Sequence, residues 1–248
     1  MDDSQKPAHR LLGVDLEDGW RVIEKINRDP KGTGGYFSVS YVIERGKSDL
    51  AFLKALDLST AFEHSDPAGA LNEQTDAFVF ERDLLLAFRG KYLDRIVSAL
   101  AHGTFFVDPP PPPPFNVVQY IIFELADGDV RKLGKHQENF NLAWCLRSLH
   151  HMATGLAQMH GREVAHQDLK PSNVLVFDDV ESKLADLGRA SAQGKSPPHE
   201  DRIVPGDRTY APFELLYKQV DPDWYRRRMG NDSFLLGSMV VFSLRVSA

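Results

Sequence analysis

The segment His166-Gln167-Asp168-Leu169-Lys170-Pro171-Ser172-Asn173 decides how this chain is interpreted. It places an aspartate, a lysine and an asparagine within a few residues of one another. A helical pattern precedes it from Asn141 to His160, and the apolar run from Val174 to Phe177 that follows it predicts a strand. An aspartate and an asparagine alone carry little information, but the whole segment between a helix and a strand is a specific pattern.

The helix before this segment is predicted from its apolar stripe and its two ends. Asn139 or Asn141 can cap its start, and Gly161 ends it. Cys145, the single cysteine, lies within the helical pattern and is expected to be a packing residue. The stripe comprises Leu142, Leu146, Leu149, Ala153 and Leu156.

A second motif, Asp186-Leu187-Gly188, follows shortly after the predicted strand. Together the two motifs resemble the protein kinase family, whose catalytic loop reads His-Arg-Asp-Leu-Lys-x-x-Asn and whose metal-binding motif reads Asp-Phe-Gly. The resemblance implies a reaction in which the γ-phosphoryl group of ATP, held by Mg²⁺, is transferred to a protein hydroxyl.

The resemblance also implies a role for each polar residue of the two motifs. Asp168 would orient the attacking hydroxyl, and Lys170 would neutralise the moving phosphoryl group. Asn173 and Asp186 would supply the hard oxygen ligands that Mg²⁺ prefers. Lys170 is typical of serine/threonine kinases, whereas His166 is expected to be a packed structural residue.

The first half of the chain is predicted to form an antiparallel sheet with one helix. Strands are expected at Trp20–Ile26, Tyr36–Glu44, Leu50–Leu56, Arg95–Val107 and Val117–Phe123. A helix is expected from Ala68 to Phe88, with Phe78, Glu81, Leu85 and Phe88 on one face. A carboxylate on such a face needs a partner if it is buried.

The nucleotide site is expected to begin at Gly32-Thr33-Gly34-Gly35-Tyr36-Phe37-Ser38-Val39, which resembles the glycine-rich loop of kinases. The resemblance implies that Gly32, Gly34 and Val39 lie against ATP, because glycine lets backbone N–H groups approach phosphates. A plain hairpin turn is the alternative for this loop. Lys54 would bind the α- and β-phosphates and pair with Glu81, with Glu73 as the alternative partner.

The resemblance extends to the segment Phe123-Glu124-Leu125-Ala126, which looks like a gatekeeper residue followed by a hinge. The Glu124 carbonyl and the Ala126 N–H would face adenine, and Leu175 would form the floor of the pocket. Residues 206–214 resemble the end of the activation segment, and the run from Asp232 to Gly237 resembles the start of a large buried helix.

Several positions depart from the family pattern. Phe52 stands where a small alanine usually lies above adenine, and Phe213 replaces the proline of Ala-Pro-Glu. Gln167 replaces the arginine that grips a phosphorylated activation segment, so that switch is expected to be missing. Asp207 replaces a threonine, and its carboxylate would repel Asp168 unless Lys170 lies between them.

Composition limits the other functions that the chain could have. The residues are 42% hydrophobic and 26% charged, and the net charge of −6 gives little support for a nucleic-acid-binding face. The beginning does not resemble a signal peptide, and no apolar run is long enough to span a membrane. With one cysteine, the chain is expected to be a soluble cytoplasmic protein.

The prolines Pro109–Pro114 form either a stiff loop insertion or a docking site for an SH3 or WW domain.

The prediction is therefore an α+β, bilobal, protein-kinase-like fold. It comprises an N-terminal extension over residues 1–19, an N-lobe over 20–123, a hinge over 124–128 and a mainly helical C-lobe over 129–248. This C-lobe would lack its last helices after the helix that starts near residue 232. The predicted function is a serine/threonine protein kinase that uses ATP and Mg²⁺. The alternatives are a pseudokinase that serves as a nucleotide-binding or scaffolding module, and a small-molecule phosphotransferase of similar fold.

Overall fold

The computed structural model describes residues 3–27, 37–108, 116–136 and 141–245. The chain divides into two compact units. The first comprises Met1–Arg82 with Ser98–Leu125, and the second comprises Asp83–Val97 with Ala126–Ala248. The predicted glycine-rich residues Gly32 and Gly34, the prolines Pro109–Pro114 and the alternative cap Asn139 lie outside the described residues.

The first unit is built on a five-stranded antiparallel sheet whose order is β1-β2-β3-β5-β4. The strands are β1 (Trp20–Ile26), β2 (Ser38–Arg45), β3 (Asp49–Leu56), β4 (Ala99–Phe106) and β5 (Val117–Glu124). Along β3, buried residues alternate with partly exposed ones from Ala51 to Ala55, because successive strand side chains point to opposite faces. One face of the sheet therefore carries the core, with Tyr41, Ile43 and Leu53 fully buried.

Residues 3–19 pack onto this core. Ala8, Leu11 and Leu16 belong to the same buried cluster as the sheet residues. The Tyr41 hydroxyl donates a 2.7 Å hydrogen bond to the Ala8 carbonyl oxygen. His9 binds the buried carboxylate of Asp57 at 3.2 Å. The segment expected to be an N-terminal extension therefore contributes side chains to the core of the first unit.

The long helix α1 runs from Pro67 to Phe88, close to the predicted bounds. Phe78, Glu81, Leu85 and Phe88 are all buried, which confirms the predicted face. The carboxylate of Glu81 thus lies on a buried apolar stripe and needs a cationic partner.

The second unit combines helices with two small sheets. Its helices are α2 (Val130–His136), α3 (Leu142–His160), α4 (Phe213–Leu216) and α5 (Gly230–Arg245), with a π-helical turn at Tyr225–Met229. Its strands are β6 (Gly128–Asp129), β7 (Val164–Ala165), β8 (Val174–Phe177), β9 (Glu181–Leu184) and β10 (Ser191–Ala192). They form the sheet β6-β8-β9 and the pair β10-β7. The antiparallel sheet with one long helix and the helix-rich second unit confirm the predicted fold class.

One predicted strand begins later in the structure than expected. The strand expected at Arg95–Val107 begins only at Ala99, because residues 95–97 bond to the edge of β9 instead. The Val97 N–H donates to the Leu184 carbonyl at 2.9 Å, and the Leu184 N–H donates to the Arg95 carbonyl at 2.8 Å. The short helix α2 was not predicted, because its polar sequence lacks a clear apolar stripe.

The predicted apolar stripe of α3 is wrong in its first half. Leu142 and Leu146 are 49% and 57% exposed, whereas Cys145, Met152 and Met159 are buried. The buried face is thus rotated from the leucines toward smaller and sulfur-containing side chains. The ends of the helix are as predicted, with Asn141 accepting a hydrogen bond from the Trp144 N–H and Gly161 at the C-cap.

The helix α5 is only half-buried, which corrects the expectation of a fully buried helix after Asp232. Leu235 and Met239 are buried, but Val241 and Leu244 are 52% and 53% exposed. Among the helices of the described residues, none is long and apolar enough to cross a membrane.

Candidate active site

In the first unit, Lys54 and Glu81 form the predicted ion pair. The Lys54 Nζ donates to the Glu81 Oε2 at 2.8 Å. The Glu81 side chain is 4% exposed and the Lys54 side chain 19% exposed, so the pair lies largely out of water. A lysine held in this way keeps a fixed position on the sheet.

Strand register places Phe52 on the same face of the sheet as Lys54. Lys54 lies opposite Ser40, and Phe52 lies opposite Val42. The Phe52 ring contacts Phe123 of β5, with ring centroids 6.3 Å apart. This phenyl group therefore occupies the Lys54 face, where the family resemblance leads us to expect a small residue.

Val39 belongs instead to the core side of the sheet. It pairs with Ala55, is 7% exposed and joins the hydrophobic cluster of the first unit. Successive strand residues face opposite sides, so Val39 does not share the face of Lys54 and Phe52. Its predicted contact with the nucleotide stays a prediction.

In the second unit, Asp168 is the centre of a buried hydrogen-bond network. Its Oδ1 accepts from the Asp207 N–H at 2.8 Å, and its Oδ2 accepts from the Asn173 Nδ2 at 2.9 Å. Lys170 Nζ lies 3.0 Å from the same Oδ2. The structure thus brings together the three residues that sequence analysis assigned to catalysis.

Lys170 also lies 3.7 Å from the Asp207 Oδ2, so one ammonium group is shared by two carboxylates. Sequence analysis predicted that Asp168 and Asp207 would repel each other unless Lys170 lay between them. The structure has this arrangement, in which the ammonium group offsets the repulsion between the two carboxylates. Gly206 precedes Asp207, and a side chain there would collide with the Gln167 carbonyl oxygen. The close approach of the two segments therefore depends on a glycine.

The protonation of Asp168 is shifted by its surroundings. Burial raises the pKa of the Asp168 carboxyl, Lys170 opposes that effect, and the nearby Asp186 carboxylate acts with burial. The net direction is upward. A raised pKa makes this carboxylate a better proton acceptor than an ordinary aspartate.

His166 and Asp232 hold the loop in place. His166 is fully buried, accepts from the Asp168 N–H at Nδ1 and bonds the Ala185 carbonyl oxygen through Nε2. Asp232 accepts from the backbone N–H groups of His166 and Gln167 at 2.7 and 2.8 Å, and from His160 at 2.8 Å. His166 is thus structural, as predicted. The anchoring role of Asp232 was missed, although a lone aspartate at the start of an apolar helix hinted at it.

Asn173 and Asp186 have the chemistry of a magnesium site. Asn173 uses its Nδ2 on Asp168, and its Oδ1 retains a lone pair beside a long bond from Ser172. Asp186 has left-handed backbone angles, with φ of 61°, and lies next to the turn Leu187–Arg189. Among the described residues, no group of three or more His, Cys, Asp or Glu side chains could hold a metal ion. One amide and one carboxylate suit Mg²⁺ bound jointly with phosphates and water.

The predicted adenine contacts are less defined. The Glu124 side chain accepts a 2.7 Å hydrogen bond from the Ser98 N–H at the end of β5. Ala126 follows β5, and Leu175 lies in β8 opposite Lys183. Their contacts with adenine remain predictions, as do those of Gly32 and Gly34, which lie outside the described residues.

A protein-family model matches most of the chain. The family model described as "Protein kinase domain" matches residues 27–242. This range contains every residue named above as a candidate for catalysis or nucleotide binding.

Similar individual proteins are plant kinases. The chain is 28% identical over 192 residues to mitogen-activated protein kinase 5 of Oryza sativa subsp. indica, which covers 77% of this chain and 47% of the relative. It is 26% identical over 193 residues to mitogen-activated protein kinase 3 of Arabidopsis thaliana, with 77% and 47% covered. It is 33% identical over 110 residues to mitogen-activated protein kinase 4 of Arabidopsis thaliana, with 44% and 28% covered. The chain thus spans about half the length, or less, of these relatives.

Proposed function

Since the chain belongs to the protein kinase family, we propose that it is an active serine/threonine kinase. It transfers the γ-phosphoryl group of ATP to a serine or threonine hydroxyl of a protein substrate. The observation that carries this proposal is the contact of Asp168 with both Lys170 and Asn173. A chain that had lost catalysis would have no need to keep all three side chains in one buried network.

Asp168 would receive the proton of the substrate hydroxyl as the new O–P bond forms and the bond from the γ-phosphorus to the bridging oxygen of the departing ADP breaks. Its carboxylate is already fixed by Asn173 and by the Asp207 N–H, so little reorganisation is needed. Lys170, held between Asp168 and Asp207, would face the charge of the phosphoryl group as it moves. The presence of a lysine at position 170 supports the serine/threonine class, because this lysine is typical of serine/threonine kinases.

Lys54 and Glu81 serve the nucleotide in this proposal. Glu81 fixes the ammonium of Lys54, which would then bind the α- and β-phosphates. Asn173 and Asp186 would hold Mg²⁺, which when bound neutralises charge on the phosphates. The transfer step itself depends on Asp168 and Lys170.

A pseudokinase is the second candidate, and Phe52 is the observation that favours it. Its phenyl group lies on the Lys54 face of the sheet, where it would narrow an adenine pocket. In that case the chain would serve as a scaffold or as a weak nucleotide-binding module.

Labelling with the purified chain, Mg²⁺, γ-labelled ATP and a generic protein substrate tests the proposal. We expect transfer to serine or threonine by the natural chain, and loss of transfer in Asp168→Asn with the unfolding temperature preserved. Equal, background-level labelling by both proteins would refute the proposal and favour the pseudokinase.

A further inference from the structure

The activation segment, here residues 186–214, carries a carboxylate that is bound by two arginines. Glu200 Oε1 accepts from Arg227 Nη2 at 3.0 Å and from Arg228 Nε at 3.4 Å. The Arg228 Nη2 lies 3.1 Å from the same oxygen, as an ion pair. Its Oε2 accepts from the Ser191 hydroxyl at 2.6 Å. The Trp224 Nε1–H in turn donates to that hydroxyl at 3.0 Å. Glu200 thus connects the beginning and the middle of the segment to the turn before α5.

Arg228 is the most buried member of this group, at 2% exposure. Arg228 binds the backbone of Glu200 as well as its carboxylate, because its Nη2 donates to the Glu200 carbonyl oxygen at 2.7 Å. A buried guanidinium is stable only when its charge is paired and its N–H groups are bonded. Glu200 supplies both the charge and the acceptors, so the pair is a built structural feature.

The same arginine reaches the catalytic loop through Gln167. The Gln167 Nε2 donates to the Arg228 carbonyl oxygen at 2.7 Å, and Arg228 Nη1 lies 3.4 Å from the Gln167 Oε1. Gln167 is 2% exposed and has a positive φ of 67°. Its side chain is therefore turned into the protein, directly beside Asp168 in sequence.

From these contacts we propose that Glu200 is a built-in anion that fixes the activation segment on Arg227 and Arg228. Through Gln167 it also positions the catalytic loop, so the segment is ordered without phosphorylation. A phosphate orders such a segment by forming charge-assisted bonds to arginine. Here a carboxylate of the segment already makes these bonds.

The protonation state of Glu200 agrees with this role. Burial alone would raise the pKa of the Glu200 carboxyl, but the bonds from Ser191 and Arg228 outweigh it and lower the pKa. The anion is therefore present at neutral pH. Ser191 itself is 3% exposed, so its hydroxyl is not accessible to another kinase in this arrangement.

The inference rests on the proposed kinase function for its effect on rate, and its effect on order can be measured without catalysis. The test variant is Glu200→Gln, which keeps the shape and removes the charge. The matched control is Asp201→Asn, a neighbouring exposed carboxylate of the same segment. Hydrogen exchange of residues 191–207 reports order, and steady-state kinetics report positioning.

We expect amide exchange in residues 191–207 to accelerate about tenfold in Glu200→Gln, because bonds to charged groups are lost. We expect kcat to fall about tenfold, with the KM for ATP changed less than about twofold, since Lys54 is untouched. Asp201→Asn should match the natural chain in both measurements. Phosphatase treatment of the natural chain should change neither.

If Glu200→Gln does not fold, Arg227→Gln serves instead. It removes the bond to Glu200 and a bond to the Asp221 carbonyl oxygen, leaves Arg228 in place, and should give a smaller change in the same direction. The inference is overturned if residues 191–207 exchange their amides as slowly in Glu200→Gln or Arg227→Gln as they do in Asp201→Asn. It is also overturned if phosphatase treatment of the natural chain accelerates this exchange. If the natural chain is inactive but its amide exchange still depends on Glu200, the kinase proposal is refuted, whereas the proposal that Glu200 fixes the segment still holds.

Discussion

At the scale of single residues, the two aspartates of the candidate site are expected to have different roles. Asp168→Asn should abolish transfer while ATP affinity stays within about twofold, because the side chain acts on the hydroxyl. Asp186→Asn should weaken Mg·ATP binding about tenfold or more, because a metal ligand is lost. Nucleotide titration in the presence of Mg²⁺ separates the two. Equal losses of affinity in both variants would contradict this division of roles.

Asp207 is expected to matter through Lys170. Removing its carboxylate in Asp207→Ala leaves the ammonium with Asp168 alone and lets the segment after Gly206 loosen. The rate of transfer should fall about tenfold, the usual scale for one charge-assisted bond.

The control for this prediction is Asp207→Thr, which restores the residue that the family usually has at this position and should retain most of the activity. Rates are measured at saturating ATP, so that nucleotide binding does not enter. An Asp207→Ala enzyme as fast as the natural chain would mean that Lys170 is held by Asp168 without help.

At the scale of elements, the segment 3–19 is expected to be part of the folded first unit. Leu11 is fully buried in the core cluster and its neighbour Leu12 is 59% exposed. Leu11→Ala should lower the free energy of unfolding by about 2–5 kcal/mol, the usual cost of a cavity, while Leu12→Ala should change it by less than about 0.5 kcal/mol.

Denaturant unfolding of the two variants measures this difference directly. Equal midpoints for Leu11→Ala and Leu12→Ala would show that residues 3–19 detach from the sheet in solution. The bond between His9 and Asp57 offers a second check, since Asp57→Asn should weaken the same attachment.

At the scale of the whole molecule, stability is expected to fall in acid. Burial raises the pKa of Asp57, but bonds from His9 and Ser59 outweigh it, so the pKa is lowered on balance, like that of Glu200. A carboxyl with a lowered folded-state pKa contributes stability above its ordinary pKa, about 4, and loses it as pH falls through the folded value.

The unfolding temperature of the natural chain should therefore drop steeply below about pH 4. Asp57→Asn and Glu200→Gln should be less stable at pH 7 and should show a shallower decline on acidification. Calorimetry from pH 7 to pH 3 makes the comparison. The opposite trend is expected from Asp168 alone, whose raised pKa favours the protonated folded state as pH falls.

Most of the long elements, and the polar residues gathered around Asp168, could be predicted from the sequence alone. The bounds of β1, β3 and α1 follow from alternation and periodicity, which depend on local geometry. The pairing of Lys54 with Glu81 could be predicted because the resemblance to protein kinases implies it. The apolar helix face around Glu81 agrees with that expectation, since a buried carboxylate needs a cation. The proximity of Asp168, Lys170 and Asn173 could be predicted because the three residues lie within a few positions of one another in one loop.

Only the tertiary structure decided features that join distant segments. The buried face of α3 is set by what packs against it, so Cys145 is buried and Leu146 is not. Glu200 and Arg228 are far apart in sequence, and no local pattern predicts that they meet. The inward turn of Gln167 depends on Arg228 and Asp232 together. Such contacts depend on chain segments that approach only in the folded state, where burial makes each charge require a partner.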